Sequence, residues 1–471
     1  MATCNRGFSR QENRDFEPVN SFYKQLFIRC EGILLSLKQR HFASLVMQRL
    51  ASATFWSFIA SMVTRASGLL ASIIIARVLG KSVFGEFGII QSTLDMFGTV
   101  AGFGLGLTSA KYVAECRSTD PAKAGRIIGI SSVMSWFFGA AATLILIVLS
   151  PWIAEKAIAA PYLTSLLQVS AFSLLLGSIN GAQMGALTGF EAFRLIARVS
   201  LISGVLTMVL RVAGTILFGL PGAIYGMVLA QVAACMVTYA ALRKEAAKMS
   251  LSIGYKNCLM ESAILWKFSL PSTLSSLTFM PVSWICNAML VNQSSGFAEM
   301  GIFTAANQWY TMVTFFPGVM AQAAMPILCD RLNRGDDQQS KMILMVLVKT
   351  SALVLMPVMI AGAFSKIIMG FYGTGFATGW PTMLVSVVTA GLVGVQTPVA
   401  YMLAAKGKMW IWFIMSLGMG CIFIGMNALL VHHGALGMAW ARFVAVVIHC
   451  AWSFTYLFYD LRKSPASVAL K

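Results

Sequence analysis

Residues Ser57 to Gln91 read SFIASMVTRASGLLASIIIARVLGKSVFGEFGIIQ: an apolar run centred on an arginine, a tight polar turn, and the start of a second apolar run. At helical spacing Ser57, Ser61, Arg65, Gly68 and Ser72 share one face, and Ile59, Met62, Val63, Leu69, Leu70, Ile73 and Ile74 cover the others. The first run closes at Arg77-Val78-Leu79-Gly80, and the chain is expected to turn through residues 81–85. The second run carries an acid, Asp95, about two turns in. An ionised side chain that deep in hydrocarbon costs about 3 kcal/mol on insertion scales. Arg65 and Asp95 are therefore expected to face protein or water, and the rest of the chain reads as scaffolding for that polar face.

Only 11% of the 471 residues are charged and 58% are hydrophobic. A soluble domain carries roughly a quarter of charged residues, so composition alone gives an integral membrane protein. After residue 50, apolar runs of about twenty residues alternate with short polar joints, the length that crosses a bilayer as helix. Continuously apolar runs exclude a β-barrel, whose strands alternate. Twelve spans are expected, at about 53–79, 87–112, 125–150, 161–187, 195–219, 222–242, 265–292, 299–328, 342–366, 378–404, 409–431 and 435–459. The net charge of +18 would suggest nucleic acid in a soluble protein; here it reads as topology, and no nucleic-acid partner is expected. With the N-terminus inside, fifteen loop lysines and arginines, among them Lys111, Arg117, Arg194, Arg243 and Lys406, are cytoplasmic, and only Lys81, Lys156 and Lys366 lie outside. Both termini are then cytoplasmic. Residues 1–50 form a basic cytoplasmic extension without the apolar core of a cleavable signal. Within it, 22–46 is either an amphipathic helix on the inner surface or a disordered tail.

The chain repeats. Gly85-Glu86-Phe87-Gly88-Ile89 is echoed by Ala298-Glu299-Met300-Gly301-Ile302, Leu187-Thr188-Gly189 by Leu403-Ala404-Ala405, and Gly222-Ala223-Ile224 by Gly434-Ala435-Leu436, all at spacings close to 213. The expected fold is all-α: about twelve transmembrane helices, as two parallel six-helix repeats around a central cavity. Its parts are the extension (1–50), an N-terminal bundle (51–243), a cytoplasmic linker (244–264), a C-terminal bundle (265–460) and a tail (461–471). Transporters place their sites at such repeat interfaces.

Ile75-Ala76-Arg77-Val78-Leu79-Gly80, followed by Phe84-Gly85-Glu86-Phe87-Gly88, resembles the A-R-x-L-G … G-x-[YF] signature after the first helix of bacterial polysaccharide-export proteins. The Gly-Ala opening of the last helix in each half resembles theirs too. The family is that of the lipid-linked oligosaccharide (O-antigen type) flippases, a branch of the multidrug/oligosaccharidyl-lipid/polysaccharide superfamily, and the resemblance runs from about residue 50 to 460. It implies a V-shaped pair of bundles that moves an undecaprenyl-pyrophosphate-linked repeat unit of O-antigen, capsule or exopolysaccharide from the cytoplasmic to the periplasmic leaflet by alternating access. The implied setting is the bacterial inner membrane, and the implied partners are the lipid-linked sugar, membrane lipids, a polysaccharide polymerase and a chain-length regulator.

Charges inside the spans are lopsided. Arg65, Arg77, Arg198, Arg211, Lys349 and Arg442 are cations, and Asp95 is the one acid well inside. Such an interior suits an anion such as pyrophosphate, which guanidinium binds in a fork. A multidrug cation antiporter of the same superfamily, the alternative, calls for the opposite excess; a polysaccharide-assembly component with no transport of its own is a third reading. Arg65 and Arg211 are expected to line the lumen. Arg77 stands between substrate contact and helix capping or headgroup contact, and Lys349 and Arg442 between lumen and structural roles. Asp95 either pairs with an arginine or takes the coupling ion. On the seventh span Pro271 and Pro281 interrupt a face carrying Ser276 and Asn287, which lines a cavity or marks a static kink. Ser61, Ser276 and Asn287 join the cations as substrate-binding candidates, while Gln308, Thr311 and Gln322 suit sugar hydroxyls or act as interhelical glue. The chain has no GxxxxGK[ST] motif and no cysteine or histidine set at metal spacing, so no catalysis, cofactor or metal is expected.

Overall fold

A computed structural model describes residues 17–249, 251, 254, 269, 279–333, 345, 348, 349, 351 and 355–463. It divides into two compact units, Met1–Phe55 and Trp56–Lys471. The first is helical from residue 17, and its side chains, on which the amphipathic reading of 22–46 depends, lie outside the described residues.

The helices are α1 (Glu17–Gly102), α2 (Leu105–Cys116), α3 (Pro121–Trp152), α4 (Thr164–Gly189), α5 (Phe193–Lys248), α6 (Phe279–Val291), α7 (Gly296–Asn333), α8 (Leu355–Ala363), α9 (Ser365–Gly370), α10 (Trp380–Ala405), α11 (Met409–Leu430) and α12 (Gly434–Lys463). Two of them are double. Gly80 (φ 72°, ψ 170°) reverses α1, and Gly219 (φ 62°, ψ −138°) reverses α5, so each supplies two antiparallel spans with no loop between. The sequence reading placed a polar turn at 81–85; instead Lys81 and Ser82 are already helical. One glycine suffices because, without a Cβ, it adopts left-handed and extended-mirror conformations that other residues avoid. The second span is in turn broken at Phe103 and Gly104 (φ 40° and 60°) before α2. Elsewhere the ends follow the expected signals: Asp120 caps α3 by accepting the Lys123 amide at 2.9 Å, with Pro121 in its first turn.

Positive-φ residues reveal the repeat in the backbone. Gly80 pairs with Ser295, Ala159 with Gly373, Glu191 with Gly407, and Gly219 with Gly434, each pair 214 to 216 residues apart. Gly219 and Gly434 are nearly superimposable in φ/ψ (62°, −138° and 65°, −144°). The structural partner of Gly434 is thus Gly219, not the Gly222 that the sequence echo matched. Phe103 and Gly104 have no such counterpart, for α7 runs unbroken through the equivalent region.

The echoed motifs turn out to be where the halves touch. A Cβ on Gly85 would overlap the backbone of Phe297 and Gly301, and one on Gly301 that of Lys81. Around this crossing a single apolar core joins both halves, with Ile75, Phe84 and Phe87 packed with Phe303, Tyr372 and Phe376. At the other end of the bundle the cores separate: Val113, Ile127 and Leu187 belong to the N-terminal half, and Val399, Met402 and Leu457 to the C-terminal half. The halves share one core at the Gly80 end, whereas toward the Arg117 end their cores are separate and the described contacts across the seam are few, among them Phe58 on Phe315 and Phe316 and Thr108 on Ser269. Large apolar side chains of the outward helices, among them Phe137, Val148, Leu217 and Leu229, stay exposed, as a lipid-facing belt requires.

Candidate functional site

On the seam between the halves lies a cavity of about 200 Å³. From the N-terminal half it receives Arg65, Gly68, Leu69 and Ser72 of α1, Gln91 beyond the Gly80 reversal, and Arg211 of α5; from the C-terminal half α7 supplies Gln308, Thr311 and Met312. The stripe Arg65–Gly68–Ser72 therefore faces the lumen, as its helical spacing requires. Its polar rim is tied across the seam. Arg65 Nη1 donates to the Thr311 carbonyl at 3.3 Å, Gln308 Nε2 donates to Ser72 Oγ, and Tyr372 donates to Gln308 Oε1 at 3.5 Å.

Among the described residues neither arginine of the cavity has an acidic partner. The Arg65 guanidinium lies 4.5 Å from the Phe315 ring centroid and that of Arg211 5.1 Å from Phe87. Arg211 Nε is buried with no hydrogen-bond partner. A cation over an aromatic face gains ~0.5–2 kcal/mol, whereas desolvating an ion costs several, so the uncompensated charge is that of Arg211; Arg65 is exposed and adds a solvated positive charge beside it. A bound anion removes that deficit, with charge-assisted hydrogen bonds that a neutral ligand cannot match.

The other candidates are scattered. Arg77 is exposed at the Gly80 end, where its Nε donates at 2.5 Å to the carbonyl of Phe371, the C-cap of α9; it takes the capping role and joins the two halves. Arg442 is buried, but in a separate chamber within the C-terminal half. Lys349 is exposed and Ser61 half-buried, and neither lines the seam cavity or the chamber that holds Arg442. Asn287 is buried and bridges the halves through Nδ2 to Ser92 Oγ at 2.7 Å, next to a matching Trp284–Thr93 bond of 3.0 Å. Ser276 and Pro271 lie outside the described residues. Asp95 is exposed one turn beyond Gln91 and, among the described ion pairs, joins none, so its expected pairing with an arginine is not made. Arg198 is likewise exposed, thirteen residues from Arg211 on the other side of α5. The sequence reading missed Gln91, Met312 and the aromatic beds of the arginines. Gln91 could have been found as the polar residue one turn from Asp95.

The family described as "Polysaccharide biosynthesis protein" matches residues 50–330, more than half of the chain. The chain belongs to that family. The "EPS I polysaccharide export inner membrane protein EpsE" of Ralstonia nicotianae is 26% identical over 56% of this chain and 66% of its own length. The protein of the same name from Ralstonia solanacearum is 28% identical over 36% of this chain and 39% of its own. In both cases the chain spans less than two thirds of the relative. Among solved structures, an inward-facing multidrug resistance MATE family transporter of the MOP superfamily superposes with a TM-score of 0.72 at 16% identity, over 87% of this chain and 100% of that one. A MOP superfamily transporter from Pyrococcus furiosus, described by a "reverse polarity of binding pocket" that suggests a different function, gives 0.66 at 14%, over 89% and 96%. These likenesses establish the twelve-helix, two-repeat MOP fold.

Proposed function

We propose that the chain is a flippase that moves an undecaprenyl-pyrophosphate-linked oligosaccharide, a repeat unit of O-antigen, capsule or exopolysaccharide, across the bacterial inner membrane by alternating access. One observation carries the reading: Arg65 and Arg211 converge on a cavity at the seam of the two halves with no carboxylate among the described residues to neutralise them. The polysaccharide-export names of the relatives support the cargo class, and the MOP fold supports rocking of one half against the other. The cavity is smaller than the 300–1,000 Å³ typical of ligand sites, so the halves must part to admit a sugar-bearing head group. The divided cores at the Arg117 end leave that side free to open. Its excess of lysine and arginine assigns it to the cytoplasm, with both termini. Gln91, Gln308 and Thr311 then offer neutral hydrogen bonds to sugar, and Asp95, exposed and unpaired one turn away, takes the coupling ion.

The MATE likeness keeps a cation antiporter as the second reading. Proteoliposomes decide between them. With labelled lipid-pyrophosphate oligosaccharide, the flippase reading expects label to move between leaflets and Arg65→Ala to abolish it, with Arg65→Lys partly active. Efflux of a cationic dye with no movement of the lipid would overturn it.

A further inference from the structure

The C-terminal half holds a second chamber of about 1200 Å³, separate from the seam. Helix α7 is the wall between the two: Gln308 and Thr311 face the seam, while Tyr310 faces the chamber. The lining is overwhelmingly apolar and aromatic, with Trp410, Trp412, Phe413 and Phe423 of α11 against Phe279 and Val282 of α6. At its mouth Trp410 is 77% exposed, and Met409 and Leu417 are also exposed, so the chamber opens at the lipid-facing surface of α11. From Met409 to Phe423 is fourteen residues of helix, about 21 Å.

At the closed end sits Arg442, only 5% exposed. Its Nη1 donates to Asn307 Oδ1 at 2.7 Å, its guanidinium lies 4.7 Å from the Phe303 centroid and 5.0 Å from that of Tyr310, and its Nε–H has no partner. Two turns along the same face of α12 is His449, 4% exposed. Gln396 Nε2 donates to its Nδ1 at 2.9 Å and to Ser453 Oγ at 2.8 Å. The ring proton therefore sits on Nε2, which also has no partner, and His449 too lines the chamber. Two buried, unpartnered N–H donors, one of them cationic, thus belong to residues that line an apolar tunnel. An orphaned buried donor is costly, and more so when charged, so the arrangement fits a ligand that brings acceptors to that end and hydrocarbon to the rest.

We propose that this chamber binds an anion bearing a long hydrocarbon chain, its carboxylate or phosphate on Arg442 and within reach of His449, and its chain along α11 toward Trp410. The site is independent of the seam cavity and does not rest on the flippase reading. A cation is refused by Arg442, and a sugar finds too few polar partners on the α11 side.

The test uses the full chain in phosphatidylcholine nanodiscs and a diazirine-bearing palmitate, with cross-links mapped by mass spectrometry. Labelling is expected within residues 409–423, saturable, and suppressed at least tenfold by excess dodecyl phosphate but not by dodecyltrimethylammonium. Arg442→Gln should lose it, Arg442→Lys should keep part of it, and Ser416→Trp, which fills the tunnel, should abolish it. Replacing phosphatidylcholine by phosphatidylglycerol suppresses labelling if a bilayer lipid is the natural source and leaves it unchanged if a free single-chain acid is. Equal suppression by the cationic amphiphile, or labelling of the outward faces of α3 as strong as that of 409–423, overturns the proposal. Gel-filtration profiles show which variants fold; should Arg442→Gln not, the competitor series on the unmodified chain decides alone.

Discussion

In the N-terminal half the deep arginines face the seam; in the C-terminal half Arg442 faces away from it. Arg211 stands eight residues before the Gly219 reversal and Arg442 eight after Gly434, so both lie about 12 Å below the same end of the bundle. Both rest on aromatic rings, and both leave Nε unpartnered. Yet one looks into the cavity between the halves and the other into the chamber within its own. The turns repeat and the charges do not. At the matched turns of the opposite end even the signs are exchanged: Glu191 on one turn meets Arg117 at 2.6 Å, whereas Lys406 and Lys408 on the other grip Asp460 from α12. A scaffold that tolerates both arrangements does not itself demand a buried cation at either position.

The largest effect that follows is on transport. Arg211→Gln should slow flipping in proteoliposomes by about 100-fold, close to the ~2–5 kcal/mol lost when a buried charge loses its partner. Arg442→Gln should leave flipping within about threefold of the unmodified chain. Equal losses would erase the distinction between the halves. Next comes the crossing that fuses them. Gly301→Val puts carbon onto the Lys81 backbone and should cost ~1–3 kcal/mol, read as a lowered thermal midpoint. Gly318→Ala, in the same helix with open space around it, should not lower the midpoint.

Of similar size is the contrast between matched turns. Gly80→Ala forces a side chain into a region open in practice to glycine and should destabilise by ~1–3 kcal/mol, while Ser295→Gly, at its partner, should stabilise by ~1 kcal/mol. The smallest change is at the Asp460 clamp, where Lys408→Met should cost under ~1 kcal/mol. The hydrogen bond to Asp460, opposed by partial desolvation, raises the Lys408 pKa. A raised lysine pKa gives a contribution that is whole at neutral pH and lost only as pH climbs through the lysine range, so denaturation curves of Lys408→Met and the unmodified chain should converge only there.

Much of this was legible in residues alone. An arginine in twenty apolar residues has few places to go, and Arg65 and Arg211, expected in the lumen, both line the seam cavity. Apolar run lengths gave the spans that lie among the described residues, but Lys81 and Ser82 disguised a one-residue reversal as a loop, because polarity at a bilayer surface says nothing about backbone conformation. Arg442 and Asn287 show the limit of a helix-face reading. It tells which residues share a side, not which neighbour that side meets, and only packing put Arg442 behind α7 and Asn287 on Ser92. Arg77, in the family-like signature, proved to cap α9 from the opposite half, a contact across 294 positions that no local pattern encodes.

The most direct test of the cationic seam is equilibrium binding of undecaprenyl pyrophosphate to the purified chain, unmodified and with Arg65→Gln and Arg211→Gln combined. Saturable binding that falls at least tenfold in the double variant, and that added salt weakens, is the expected result. Binding unchanged by loss of both guanidiniums would contradict it.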